Sequence, residues 1–470
     1  MKSSGRGRSL PFPRRYLFLV AIWVFALLFL RIQSQENDST KSPEQSPLVQ
    51  QPSKEPRDNE VNKPKPNEAK LDKLEGPGRV KVDAEPKKPE AEIPTDEIGW
   101  LEHPTDWKMS RRAKLEIRKQ SFTLFDIWLT SDGEKIIFFG NIAQGRLSCR
   151  FSDGTKTDLK DDGRSWNANV YHGEQSSCEV PKDLSPPSHG LYDVLFDVVR
   201  DDEVLLKGIR LFKTSSKSYK LTAVMLNRVF RADDFHISVK EILEWMAYMN
   251  LAGVEHFYLY DNCKEEEEST FEGLKDVIQS GLLTYHAWPY NLGKGLSPYQ
   301  IVQDAAYTHV LYRYKDKNEW QIQMDVDEYP VHLKDKESGF LTRWLKEKKK
   351  PDPQAVTQYH ILTMFYGDLN DEGKRGNHHL NSTMISAYRY RDKEAITGGR
   401  FKPIYYAPYF HQGVVHNMVG TGSAHEVSPD EMRMNHYWGF RCGPEQCKVR
   451  DYILEPFVVP VEEKVESWKR

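Results

Sequence analysis

The chain has 470 residues, long enough for more than one domain, and 39% of them are hydrophobic. Its 66 Lys and Arg nearly balance 69 Asp and Glu, a formal net charge of −3, so nothing in the charge calls for a nucleic-acid partner. No G-x-x-x-x-G-K-[ST] and no strand-linked G-x-G-x-x-G occurs, which argues against a P-loop or a dinucleotide fold.

Lys2, Arg6, Arg8, Arg14 and Arg15 precede an unbroken apolar or aromatic run from Tyr16 to Leu30, and Arg31 follows. This reads as a single-pass type II signal anchor at 16–32 with a cytoplasmic tail at 1–15, short enough to suit a thin bilayer. The competing reading is a cleaved signal peptide, against which stands the lack of a small-residue cleavage site. Residues 33–98 are rich in Pro, Glu, Lys, Ser and Gln and poor in aliphatic side chains. Such a stem cannot bury enough apolar surface to offset chain entropy, and is expected to be disordered. Anchor, stem and C-terminal globule together describe a Golgi membrane enzyme with a luminal catalytic part, and equally a tethered lectin.

The five cysteines suit a lumen: Cys149 with Cys178, and Cys442 with Cys447, is the economical pairing, leaving Cys263 free. Asn37-Asp38-Ser39 and Asn381-Ser382-Thr383 are glycosylation acceptors.

Residues 99–215 form a β-rich module. Strands are expected over Phe122–Leu129, Glu134–Gly140, Gly145–Phe151, Leu191–Val199 and Leu205–Phe212, separated by turns at Asp132-Gly133, Asp153-Gly154, Asp162-Gly163 and Asp201-Asp202. The spacing suggests a sandwich stapled by Cys149–Cys178. Its role is packing, or sugar binding through Trp166 and Tyr171; aromatic residues in a β module are more often core, which favours packing.

From 216 to 470 strands and helices alternate. Leu221–Leu226 is a buried strand. Ile242, Leu243, Met246 and Met249 have helical spacing, closed by Gly253. Val254–Tyr260 is a second strand, stopping at Asp261-Asn262. Leu274, Val277 and Ile278 mark a helix ended by Gly281, and Leu282–Trp288 is a third strand. Ser297-Pro298-Tyr299-Gln300 opens a helix to about Lys315. This order predicts an α/β fold with a mostly parallel sheet flanked by helices and ligands at the strand ends. The next strand, Trp320–Gln323, leads into Met324-Asp325-Val326-Asp327-Glu328-Tyr329. Carboxylates at i and i+2 leave a strand on one side, where they repel unless a cation sits between them. Oxygen donors of this kind suit Mg²⁺ or Mn²⁺, although a lone D-x-D is more often a solvated loop.

Glu244-Trp245-Met246, the run Gly253 to Asn262, Trp320 to Tyr329, Val415-His416 and Asn435-His436-Tyr437 together resemble glycosyltransferase family 92, also called the DUF23 family, over about Leu221 to Tyr437. The resemblance implies a GT-A-like domain and a metal-dependent, inverting galactosyltransferase that uses UDP-galactose on a glycan acceptor; plant members make β-1,4-galactan and an animal member galactosylates core fucose of N-glycans. It implies Mn²⁺ or another divalent cation on Asp325 and Asp327, with Asp325 alternatively on the ribose. A C-terminal His would complete the metal shell, with His416 ranked before His436 and a structural His as the competing reading for each. Asp261 is expected at uridine, against a simple Asx turn, and Arg228 at uracil or phosphate, against a solvated side chain. The base for inversion is sought among Glu328, Asp368 and Glu426, and Asp368 is placed first because it lies in a Gly-containing loop. The chain departs from the family at Leu226-Asn227-Arg228-Val229, where many members carry Lys-Asn-Glu, and at Met364-Phe365-Tyr366-Gly367-Asp368, so the family's nucleotide and acceptor contacts do not carry over at these positions. Another UDP-sugar donor, or an inactive membrane-tethered carbohydrate-binding protein, are the alternatives. The oligomeric state is not legible.

Overall fold

The computed structural model describes residues 124–140, 146–161, 175–184, 193–213, 217–227, 237–262, 269–290, 296–348, 351–367, 382–437 and 446–469. The tail, anchor and stem lie outside them, as do Trp166, Tyr171, Arg228, Cys263, Asp368, Asn381 and Cys442. Among the described residues no helix is long and apolar enough to cross a membrane.

The N-terminal module is built from β1 (Leu124–Leu129), β2 (Lys135–Gly140), β3 (Leu147–Phe151), β4 (Lys156–Asp158), β5 (Lys160–Asp161), β6 (Gln175–Glu179), β7 (Val194–Arg200) and β8 (Glu203–Leu211). They form two four-stranded sheets, ordered β1-β2-β6-β5 and β4-β3-β7-β8. The Cys149–Cys178 disulfide joins β3 of one sheet to β6 of the other, and Leu124, Ile127, Phe138, Phe196 and Ile209 fill the space between them. The turns at Gly133 and Gly154 need the left-handed backbone, with φ of 79° and 86°, which glycine adopts without steric cost. Strands β4 to β6 have no hydrophobic alternation that a sequence reading can follow. Lys-Thr-Asp and Gln-Ser-Ser-Cys-Glu become strands because neighbouring edges offer pairing. Cys447 is disulfide-bonded too.

The C-terminal part begins with β9 (Tyr219–Asn227), α1 (Val239–Ala252), β10 (His256–Asp261), α2 (Lys275–Gln279), β11 (Leu283–Ala287), α3 (Leu296–Tyr314) and β12 (Asn318–Gln323). It continues with β13 (Glu328–His332), α4 (Phe340–Glu347), β14 (Val356–Gly367), α5 (Met384–Ala387), β15 (Tyr390–Arg391) and β16 (Ile396–Tyr406). It closes with β17 (Phe410–Val414), β18 (Asn417–Gly420), β19 (Ser423–Val427), β20 (Met432–His436), β21 (Val449–Arg450) and α6 (Val458–Trp468). Ser238 and Glu241 form a reciprocal capping box on α1, and Gly253 ends it at φ 119°. A side chain at Gly253 would place its Cβ 2.3 Å from Thr342 Oγ1, so both backbone and space demand glycine.

The main sheet is mixed, with the expected parallel strands forming one side of it. Strands β11, β10, β9 and β12 run parallel, but β16 lies antiparallel to both β12 and β14. Hydrophobic periodicity reports that a segment is a strand. Direction comes from the connection, and between β12 and β16 the polypeptide passes through β13, α4, β14, α5 and β15 rather than through one crossover helix. Alternate residues of β9 serve two cores. Leu221, Ala223 and Met225 pack with α1 residues Ile242, Trp245 and Met249. Val224 and Leu226 pack with Ala306, Tyr307 and Val310 of α3 and with Phe125, Trp128 and Phe139 of the β module. Strands β1 and β2 of the module are therefore buried on both faces.

Candidate active site at the end of the parallel strands

The acidic run leaves β12 with its alternation intact. Met324 and Val326 point into the core, at 0% and 3% exposure, while the Asp325 and Asp327 side chains retain 37% and 18% of their exposure. The apolar neighbours anchor the turn and push both carboxylates outward. The Glu328 N–H donates to the Asp325 carbonyl at 3.1 Å, and the Asp325 N–H donates to Glu328 Oε2 at 2.9 Å. Trp245 Nε1 donates to the Glu328 carbonyl at 3.0 Å, Tyr248 OH to the Pro330 carbonyl at 2.6 Å, and the Tyr437 N–H to the Asp327 carbonyl at 2.8 Å. Helix α1 and the β13–β20 pair thus fix the turn from both sides.

A buried cation stands behind it. Lys402, 1% exposed on β16, lies 2.9 Å from Asp325 Oδ2 and 3.1 Å from Glu328 Oε2. Burial works against its ammonium, but the two carboxylates outweigh burial and keep it protonated. Burial likewise pushes the Glu328 carboxyl up, against the pull of Lys402. His436, directly opposite Glu328 in the β13–β20 ladder, brings Nε2 to 3.5 Å from Asp327 Oδ2 and Nδ1 to 3.5 Å from Glu328 Oε1. Burial disfavours its charged ring; Asp327 and Glu328 more than offset that and raise its pKa.

Of the two histidines sought for the metal shell, His436 therefore makes the side-chain contact with the acidic turn. His416 sits in the exposed turn between β17 and β18, with Nδ1 3.2 Å from the Phe401 carbonyl, and is near enough to Asp325 and Lys402 to feel their charges. That turn is pinned in place. Gln323 Nε2 donates to the Val414 carbonyl, and the Val415 N–H donates to Asp304 Oδ1 of α3 at 3.1 Å. Burial pushes the Asp304 carboxyl up to about 7.

Asp261 ends β10 beside Asn227, the last residue of β9, on the same sheet edge as the acidic turn. Its carboxylate is wholly buried. It accepts from the Thr270 N–H and hydroxyl, both at 3.0 Å, and from Tyr285 OH. These bonds fasten the strand end to the segment at 269–271 and to β11, over nine and 24 residues of chain, and are not the local bond of an Asx turn. Glu426 is exposed on β19. Glu328, the base candidate within the acidic turn, is shared among Lys402, His436 and the Asp325 N–H. Arg228 and Asp368 lie outside the described residues. Lys402 was not legible as a site residue, although one Lys inside the strand run Phe401-Lys402-Pro403-Ile404 is itself a sign of a buried, paired cation.

Among the described residues no three His, Cys, Asp or Glu side chains are spaced as a ready-made metal cage. The donor chemistry nevertheless suits Mn²⁺: outward carboxylates at Asp325 and Asp327 with the imidazole of His436 beside the second.

Residues 235–441 match the family model described as Glycosyltransferase family 92. Similar stretches occur in three plant proteins of that family name. One from Ricinus communis is 31% identical over 91 residues, 19% of this chain and 14% of that protein. One from Oryza sativa subsp. japonica is 28% identical over 86 residues, 18% and 13%. One from Arabidopsis thaliana is 29% identical over 92 residues, 19% and 14%. The matched stretch thus spans about a seventh of the length of the relatives, 14% in the first of them.

Proposed function

We propose that this chain, a member of glycosyltransferase family 92, transfers galactose from UDP-galactose to a hydroxyl of a glycan acceptor, with inversion, in the Golgi lumen. The observation that carries the reading is the outward pair Asp325 and Asp327, set at the carboxyl end of a parallel strand with His436 3.5 Å from Asp327. Asp325, Asp327 and His436 would hold the Mn²⁺, with His416 at the rim. Bound there, a divalent cation supplies positive charge to the diphosphate leaving group. The protein's own contribution is orientation: α1, β20 and Lys402 fix the acidic turn before substrate arrives, so little reorganisation remains for the reaction. The acceptor hydroxyl must lose its proton on the face opposite UDP. Asp368 is the proposed base, and Arg228 the proposed nucleotide contact. Asp261 serves the nucleoside indirectly, by holding the edge of its pocket. The run 16–32 anchors the chain and leaves the catalytic part luminal, so the Asn381→Gln variant should lose a glycan.

The test is a donor screen with the full chain in detergent and Mn²⁺, offering UDP-galactose, UDP-glucose and UDP-N-acetylglucosamine to β-galactosides and fucosylated glycans. Transfer from UDP-galactose supports the reading. Transfer from another donor only would keep the transferase and discard galactose; neither transfer nor hydrolysis of any donor would discard both.

A further inference from the structure

Lys402 closes a ring around the acidic turn. Its ammonium meets Asp325 Oδ2 at 2.9 Å and Glu328 Oε2 at 3.1 Å, and Glu328 Oε2 also accepts the Asp325 N–H at 2.9 Å. The ring lies on the buried side: Lys402 and Glu328 side chains are 1% and 2% exposed, against 37% for Asp325. An ammonium here has two consequences. It orients the Asp325 carboxylate from behind, leaving its outer side toward solvent. It also cancels part of the charge of the two carboxylates it touches, and so weakens their pull on any second cation.

Resting on the metal reading above, we propose that Lys402 is the positioning residue of this turn and makes divalent-cation binding conditional on the nucleoside diphosphate. Without nucleotide, Lys402 already neutralises Asp325 and Glu328, and Asp327 with His436 is too small a donor set to hold Mn²⁺ tightly. A diphosphate on the outer side supplies further oxygen donors and negative charge that offsets the buried ammonium. The free protein therefore keeps its site formed but open, and cation and donor bind together.

The experiment is calorimetric titration of Mn²⁺ into the full chain in detergent, with and without UDP, for the parent, Lys402→Met and Lys402→Met/Glu328→Gln, with thermal melting alongside. In the parent, UDP should tighten Mn²⁺ binding roughly tenfold or more. Lys402→Met should bind Mn²⁺ about tenfold tighter than the parent without UDP, and gain less from it. That variant strands the buried Glu328 carboxylate and is the one at risk of not folding. The double variant removes both buried charges and should show the same trend, several-fold in size. Equal Mn²⁺ affinity in the parent with and without UDP overturns the proposal whatever the variants do. So does a folded double variant that binds Mn²⁺ without UDP no better than the parent. If transfer of sugar persists in either case, the transferase reading stands and only the role of Lys402 falls. No Mn²⁺ binding even with UDP present removes the metal reading and this proposal together.

Discussion

At the scale of single residues, position relative to the core decides what a side chain can do. Asp327 is outward on a turn whose fold is carried by its neighbours Met324 and Val326. Asp327→Asn should therefore melt close to the parent while transfer falls ~10²-fold or more, since a stabiliser of the leaving-group charge is lost. Rate against Mn²⁺ concentration, with melting as the control, checks this; an unimpaired rate would end the metal reading of the turn. Asp304 shows the opposite case, a carboxyl held in the interior. Its folded-state value of about 7 lies above the ordinary 3.8, so the fold favours the protonated form. The stability this contributes is complete below about pH 4 and is lost as pH rises through about 7. Asp304→Asn keeps an oxygen for the Val415 N–H but does not titrate. Its stability should gain on the parent's from about pH 4 to about pH 7 and level off above, by at most roughly 4 kcal/mol. A difference that does not change with pH would contradict it.

At the scale of elements, one buried ion pair ties the β module to α3. Arg313 Nη1 lies 2.6 Å from Asp126 Oδ2 of β1, and His309 Nε2 lies 2.9 Å from the same oxygen. Tyr260 OH of β10 meets His309 Nδ1 at 2.7 Å. All four side chains are buried. Removing one partner leaves a charge stranded in a low-dielectric interior, which typically costs about 3–5 kcal/mol. Arg313→Met should accordingly lose several kcal/mol in chemical denaturation, and Arg313→Met/Asp126→Asn should recover much of it. Equal losses in the single and double variants would show that packing, not charge, holds this junction. Strands β1 and β2 were readable from their apolar runs and Asp-Gly turns, whereas β4 and β5 were not. A strand of polar residues on an edge owes its existence to its neighbour, and the neighbour is distant in sequence.

At the scale of the whole molecule, the two parts share a core. Phe125 stacks on Trp288 with ring centroids 5.6 Å apart, and Phe139 and Trp128 both approach His309 at 5.2 Å. This supports a packing role for the module. A sugar-binding appendage would make its removal harm long acceptors more than short ones. Here, deletion of residues 124–211 should expose the aromatic face of α3 and β10, lower solubility, and reduce transfer to short and long acceptors alike. Selective loss on long acceptors, in a variant that stays folded, would restore the sugar-binding reading.

The alternation of strands and helices from β9 to β12, the end of α1 at Gly253, and the outward pair Asp325 and Asp327 were legible in the sequence alone. Each rests on contacts between residues close in the chain or on side-chain period, which a linear reading sees. The antiparallel direction of β16, the preference for His436 over His416 beside Asp327, the enclosure of Asp261, and Lys402 behind the acidic turn were decided only by tertiary structure. Lys402 and Asp325 are neighbours because β12 and β16 pair. No local pattern encodes which distant strand supplies the charge that a buried carboxylate requires.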